Sequence, residues 1–398
     1  MNPIQRALAR TLCLTLCLTL FALPAQAQET TLTILEGGRP LWEDEFKRAH
    51  PGVRVKHVSV PAQGDAFKAL LMTNEEYDVY ELAIGPVYAA LRDKGYLLPL
   101  TGATQAARFA DAAFPYLRDA LSQSGNVYAV VCPAEEDESQ SVYLDAWSRD
   151  DQGWAEENLG EVPTTWARLL DMMIDWAKNR EDSAYRLCDA PMEGEGFYVT
   201  LFQSYVSQYE RADAPITFDT PAFREAMTLL KQYAQLAQPL DTRPALLSPF
   251  GGALTGAREN GMVGMAPPTF EAGQTPVIQA DFRVYVVNAR TKHPAEALAY
   301  VETAARQYDE VSLLLMTPGA AKEIRFGNAV LVTREDAERT LALLHNAKIN
   351  LSSLFLGGDH HFDMVDMARQ YLQGALTLDL LVEKLDSRAA LAFRENQQ

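Results

Sequence analysis

The sequence predicts an α/β protein of two lobes, and three observations predict it. Strand-like and helix-like runs alternate from Thr31 onward, the pattern of a parallel, doubly wound sheet. The chain has 398 residues, 371 of them beyond a 27-residue leader, which suits two domains at about 100–200 residues each. Past Cys132, two strand-like runs are joined by a polar stretch with no helix between. That breaks the alternation, as a chain passing from one lobe to the other would.

Residues 1–27 read as an export signal: Arg6 and Arg10 form a basic start, 11–23 an apolar run, and Ala25-Gln26-Ala27 a cleavage site. The apolar run is shorter than the roughly 20 residues of a spanning helix. Leu16 precedes Cys17, where a lipoprotein signal has a small residue, so a soluble periplasmic or extracellular protein is expected. A strand at 31–35 stops at Gly37-Gly38, and Leu41, Trp42, Phe46 and Ala49 then recur at helical spacing up to Pro51-Gly52. Val53, Val55, Val58 and Val60 mark a second strand, which makes a right-handed βαβ unit. Ligands of open parallel sheets sit beyond the strand carboxyl ends, so the loop Glu36–Arg39 would lie at the site.

Asp65 can cap a helix carrying Phe67, Leu70 and Leu71. A strand at 78–84 leads into a helix opened by Gly85-Pro86, with Val87, Ala90 and Leu91 inward and Gly95 closing it. Residues 127–132 form a strand, followed by acidic 133–141 and a strand-like 142–144. A helix starts at Pro163-Thr164-Thr165-Trp166, with Trp166, Leu169, Leu170, Met173 and Ala177 on one stripe. Further helices are expected at 195–209, from Thr220-Pro221, at 294–308, and at 363–373 and 378–392 around Gly374, with strands at 261–266 and 282–287. There is no internal repeat.

The formal charge is −18, and loss of Arg6 and Arg10 with the leader makes it −20. Such a chain does not suit nucleic acid or an anionic membrane as partner. Cys132 and Cys188 remain beyond the leader; in an oxidising compartment they could pair or stay apart.

Several phrases carry a resemblance. Phe46-Lys47-Arg48-Ala49-His50-Pro51-Gly52-Val53, the strand after Glu76-Tyr77-Asp78-Val79, Gly95-Tyr96-Leu97-Leu98-Pro99-Leu100, Asn126-Val127-Tyr128-Ala129-Val130, Pro163-Thr164-Thr165-Trp166, 261–266 and Tyr371-Leu372-Gln373-Gly374 follow one another over nearly the whole chain. In number and order they resemble the extracellular solute-binding proteins of ABC importers, the cluster that includes maltose-binding protein. Arg168 departs from that pattern, standing where the family often has an acid, and 311–333 matches it poorly. The resemblance implies two doubly wound α/β lobes joined by a multi-crossing hinge, of the periplasmic binding protein type II kind. It places 28–138 and 280–325 in the first lobe, and 139–279 and 326–398 in the second. It also implies a monomer that captures a small solute, most readily a carbohydrate, by hinge closure and delivers it to membrane permease subunits.

The candidate ligand-binding residues are Glu36, Arg39, Asp65, Tyr88, Glu138, Tyr198 and Phe270. Glu36 and Arg39 follow the first strand, against a reading as solvated loop. Asp65 is a cap that can also face ligand. Tyr88 follows the third strand, against a reading as helix packing. Glu138 closes the acidic run from Glu135, which would suit a cationic ligand or a solvated hinge. Tyr198 begins a helix that the resemblance puts at the crevice, where a helix N-terminus favours anions or polar oxygens. Phe270 falls where sugar-binding relatives place a stacking aromatic, against a reading as core. His360-His361 with Asp359 and Asp363 is a poor metal set, since adjacent residues rarely reach one ion. No metal, cofactor or enzymatic activity is expected, because the GxSxG, HExxH, P-loop, CxxC and SxxK patterns are missing beyond the leader. The alternatives are a secreted carbohydrate-active hydrolase or lyase using paired carboxylates, and the same fold binding a non-sugar, cationic ligand.

Overall fold

The structure is a computed structural model that describes residues 30–35, 39–59, 77–133, 142–149, 160–179, 183–188, 196–211, 213–236, 243–251, 263–319, 322–326, 329–349 and 359–396. Strand β1 (Thr30–Leu35), helix α1 (Glu43–Ala49) and strand β2 (Val53–Val58) form the expected unit, with β1 and β2 parallel and Leu32 opposite Val55. Glu43, Asp44 and Glu45 fill the first turn of α1, and Lys47 and Arg48 the last, which complements the helix dipole at both ends. Strand β3 (Val79–Ala83) and helix α2 (Pro86–Asp93) follow, and Gly95 takes the left-handed φ of +74° that releases the chain from the helix. Then come α3 (Thr104–Ala112), α4 (Pro115–Leu121), a hairpin of β4 (Ser122–Gln123) and β5 (Asn126–Val127), and β6 (Ala129–Val131).

The next elements are β7 (Val142–Arg149), α5 (Trp166–Asn179), β8 (Arg186–Cys188), α6 (Gly196–Tyr209), α7 (Pro221–Leu236), β9 (Ala245–Gly251) and β10 (Val263–Met265). The Thr220 hydroxyl accepts the Phe223 amide at 3.2 Å, so α7 has the cap its sequence calls for. The long β11 (Ile278–Val287) leads to α8 (Pro294–Ala304), α9 (Glu310–Met316), β12 (Ile324–Phe326), β13 (Ala329–Val332), α10 (Arg334–Leu344) and β14 (Ala347–Lys348). Helices α11 (Asp359–Leu372) and α12 (Leu378–Asn396) close the order, separated by Gly374 at φ +82°.

One ten-stranded sheet divides into two smaller sheets at the pairing of β7 with β11. The first runs β2-β1-β3-β11 with β6 on the far side of β11; β1, β2 and β3 are parallel and β11 opposes β3 and β6. The second runs β8-β9-β7 with β10 on the other flank of β7; β8 and β9 are parallel and β7 opposes β9 and β10. Each sheet therefore has one antiparallel strand, and those two strands pair with each other, Val142 opposite Phe282 and Asp145 opposite Gln279. This is a two-lobe α/β fold in which β7 and β11 form the hinge.

Packing separates along the same line. Alternate residues of the first sheet face two clusters: Tyr80, Leu82, Val284 and Val286 one way, and Ile34, Val79, Tyr285 and Val287 the other. A different cluster joins Trp166, Leu201, Phe223, Leu247, Val365 and Leu385. Cys132 and Cys188 are buried in different clusters and form no disulfide.

Residues 329–349 pack beside the first sheet. Leu344 and Ala347 pack with Tyr80 and Val284, and β14 lies parallel to the start of β11. Val332 and Ala337 close a small cluster on Leu314 and Ile324, so β12, β13 and α10 extend the first body. Met364 and Val365 of α11 belong to the other cluster. Among the described residues no helix is long and apolar enough to cross a membrane.

Candidate functional site

Strand direction locates the crevice. Val79 lies opposite Val287 and Ala83 opposite Arg283, so β3 points its carboxyl end toward the hinge pairing. Val263 lies opposite Arg149 and Met265 opposite Trp147, so β10 points to the same place from the second lobe. The carboxyl ends of both sets of parallel strands converge where open α/β sheets bind ligands.

On the first-lobe side, Arg39 is described and half exposed. Its Nε lies 3.3 Å from Glu43 Oε1, and its Nη2 meets Asp44. Glu43 is fully buried and also receives Lys47 and His57, the latter at 2.5 Å. Burial alone would raise the Glu43 carboxyl, but the hydrogen bonds from His57 and Lys47 outweigh it and hold the group below its ordinary value. The guanidinium thus sits at the end of β1 with two carboxylates already on it.

Tyr88 is a core residue. Its side chain has no exposed surface, and its hydroxyl donates to the Ala120 carbonyl at 3.0 Å. Burial raises its hydroxyl pKa well above the ordinary value. Tyr88 and Leu91 share the buried face of α2, while Val87 is only half buried. Tyr88 thus packs in the core cluster beside the first sheet. Glu36, Asp65 and Glu138 lie outside the described residues. Tyr198 falls in the first turn of α6.

On the second-lobe side, β10 runs into the segment Ala266–Phe270. Ser204 Oγ donates to the Pro268 carbonyl at 2.7 Å, and the Phe270 amide donates to Gln208 Oε1 at 3.0 Å. The Thr269 amide donates to the Thr164 carbonyl at 2.9 Å, and the Trp166 amide to the Thr269 carbonyl at 2.8 Å. Helix α6 and the start of α5 thus grip this segment from two sides. The Phe270 ring meets Tyr205 edge-on at 4.8 Å and lies 6.3 Å from Tyr209 and 6.4 Å from Trp166. At 6% exposure Phe270 is almost wholly covered. Tyr209 donates to Glu271 Oε1 at 2.5 Å; burial and then the Glu271 carboxylate push its hydroxyl up to about 12.

The same segment walls a cavity of about 600 Å³, within the range of small-molecule sites. Phe270 and Pro163 give it an apolar side, and Thr164, Thr165, Arg168, Asp171 and Glu225 a polar one. Of these, sequence reasoning singled out only Phe270 for ligand. The Pro-Thr-Thr-Trp phrase marks where α5 begins, but Arg168 and Asp171, three apart on the outer face of α5, read as ordinary solvated charge. Among the described residues no group of three His, Cys, Asp or Glu side chains could hold a metal ion.

No protein-family model matches the chain, and no curated protein matches it. Solved structures do. The sugar-binding protein MalE from Xanthomonas citri shares 15% identity at a TM-score of 0.61, over 92% of this chain and 98% of that one. An ABC transporter solute-binding protein from Agrobacterium vitis S4, with bound D-mannitol, shares 14% at 0.60 over 92% and 98%. A third, described as a de novo designed esterase, shares 15% at 0.62 over 92% and 100%. The class is thereby defined at the level of fold: the chain has the two-lobe fold of the MalE-like solute-binding proteins of ABC transporters.

Proposed function

We propose that this chain is the extracytoplasmic solute-binding component of an ABC importer. It takes a small carbohydrate or polyol between its lobes and presents it, as a monomer, to permease subunits in the membrane. The observation that carries the reading is the convergence of both sets of parallel strand ends on the β7–β11 hinge, with the Phe270 cavity, an apolar wall beside hydroxyls and charges, formed by the second lobe. A sugar needs that mixture: C–H faces against Phe270 and Pro163, hydroxyls toward Thr165, Arg168 and Asp171. The export signal in 1–27 supports a periplasmic or extracellular location. The first lobe comprises 30–133 and 282–349, and the second 146–277 and 359–396. The protein binds without turnover.

A second reading is favoured by one feature, the excess of carboxylate over Arg168 at the cavity, which suits a cationic solute. Thermal melting against maltose, D-mannitol, spermidine and a glycan panel separates the two, since a solute at 100 times its Kd stabilises by roughly 2.7 kcal/mol. Stabilisation by a sugar or polyol supports the first reading and by spermidine the second. Turnover of a glycan refutes both.

A further inference from the structure

We infer that Lys348 is a positioning residue that ties the relation of the two lobes to the Phe270 segment. Lys348 ends β14, beside Ala347 in the first core, yet its Nζ donates to the Ser207 carbonyl at 3.0 Å. Ser207 lies in the last turn of α6, next to Val206 of the second core. The last turn of a helix carries the negative end of the helix dipole, so a lysine ammonium is a fitting partner there. The hydrogen bond joins β14, which lies beside the β7–β11 pairing, to a helix of the second body.

What α6 holds makes this contact more than surface chemistry. The same last turns carry Ser204 and Gln208, which bind the Pro268 carbonyl and the Phe270 amide, and Tyr205 and Tyr209, whose rings flank Phe270. Lys348 therefore grasps the helix within one turn of the groups that fix the cavity wall. A rotation of the lobes that moves Lys348 pulls on α6, and a solute that shifts the Phe270 segment pushes back. Such coupling is reciprocal, and both sites bias one two-state element, the hinge. The inference deepens the proposed function by naming how the cavity and the hinge communicate, and it rests on that reading only for the identity of the solute.

The test uses no solute, so its failure is distinct from a failure of the transport reading. Exposed Asp111 of the first lobe and Lys384 of the second are replaced by cysteine and spin-labelled in the full-length chain. The lobe-to-lobe distance distribution is then compared for the parent, Lys348→Met and Lys348→Arg, alongside hydrogen exchange at the amides of 268–271. The expected result is a broader, shifted distribution and faster exchange at 268–271 in Lys348→Met, with the melting temperature unchanged and both readouts restored in Lys348→Arg. A parental distance distribution in Lys348→Met, or unchanged exchange at 268–271, overturns the inference.

Discussion

His57 Nε2 lies 2.5 Å from a carboxylate oxygen of Glu43, a side chain with no exposed surface. The contact fastens the start of α1 to β2, the edge strand of the first sheet. Replacing Glu43 by Gln removes the charge that Arg39, Lys47 and His57 share, and should cost about 2 kcal/mol near neutral pH. The folded carboxyl sits below its ordinary value of 4.5. Its contribution is therefore complete above that value and is lost as pH falls through the lower folded one. Melting curves of parent and variant should differ at pH 7 and converge below pH 4.5; a constant gap down to strong acid contradicts the assignment.

Tyr88→Phe removes the donor to the Ala120 carbonyl, which Arg92 Nη1 still reaches at 3.0 Å. A loss of about 1 kcal/mol in urea unfolding is expected, with solute affinity unchanged. Weakened affinity at unchanged stability would return Tyr88 to the crevice.

Phe270→Ala empties the centre of the ring cluster formed with Tyr205, Tyr209 and Trp166, and should destabilise the chain by about 3 kcal/mol. Phe270→Leu keeps most of the volume but not the aromatic ring. It should fold normally and bind a sugar about tenfold more weakly, a difference of roughly 1.4 kcal/mol by calorimetry.

How far these sites can be read in advance depends on the element. The β1–α1–β2 unit and the stripe Phe223, Ala226, Met227, Leu230 and Tyr233 on α7 follow from periodicity, because each buries one face against one layer. On α2 the period is right but the face is turned by one residue, since a tyrosine fits the core once Ala120 supplies an acceptor. The segments β12, β13 and α10 are short, and their sequence carries no strong pattern that assigns them to either body. Arg168 and Asp171 gave no signal because a charge on a cavity wall and one on a solvated face look alike in sequence. The Phe270 position was legible, but its partners come from residues about 60 and 100 positions away, Ser204, Gln208 and Thr164, which local patterning does not reach.

Cys132 and Cys188 should remain thiols in a chain starting at residue 28. Alkylation after denaturation without reductant should add two labels by intact mass, and the melting temperature should not depend on reductant. A mass showing no label would mean the two sulfurs had joined, which their burial in separate cores opposes.

The most direct measurement is small-angle X-ray scattering with and without the sugar or polyol that most raises the melting temperature. If two lobes clamp a small solute, the radius of gyration falls saturably at the concentrations that stabilise the fold. Stabilisation with no contraction, or no stabilisation by any sugar or polyol, contradicts it.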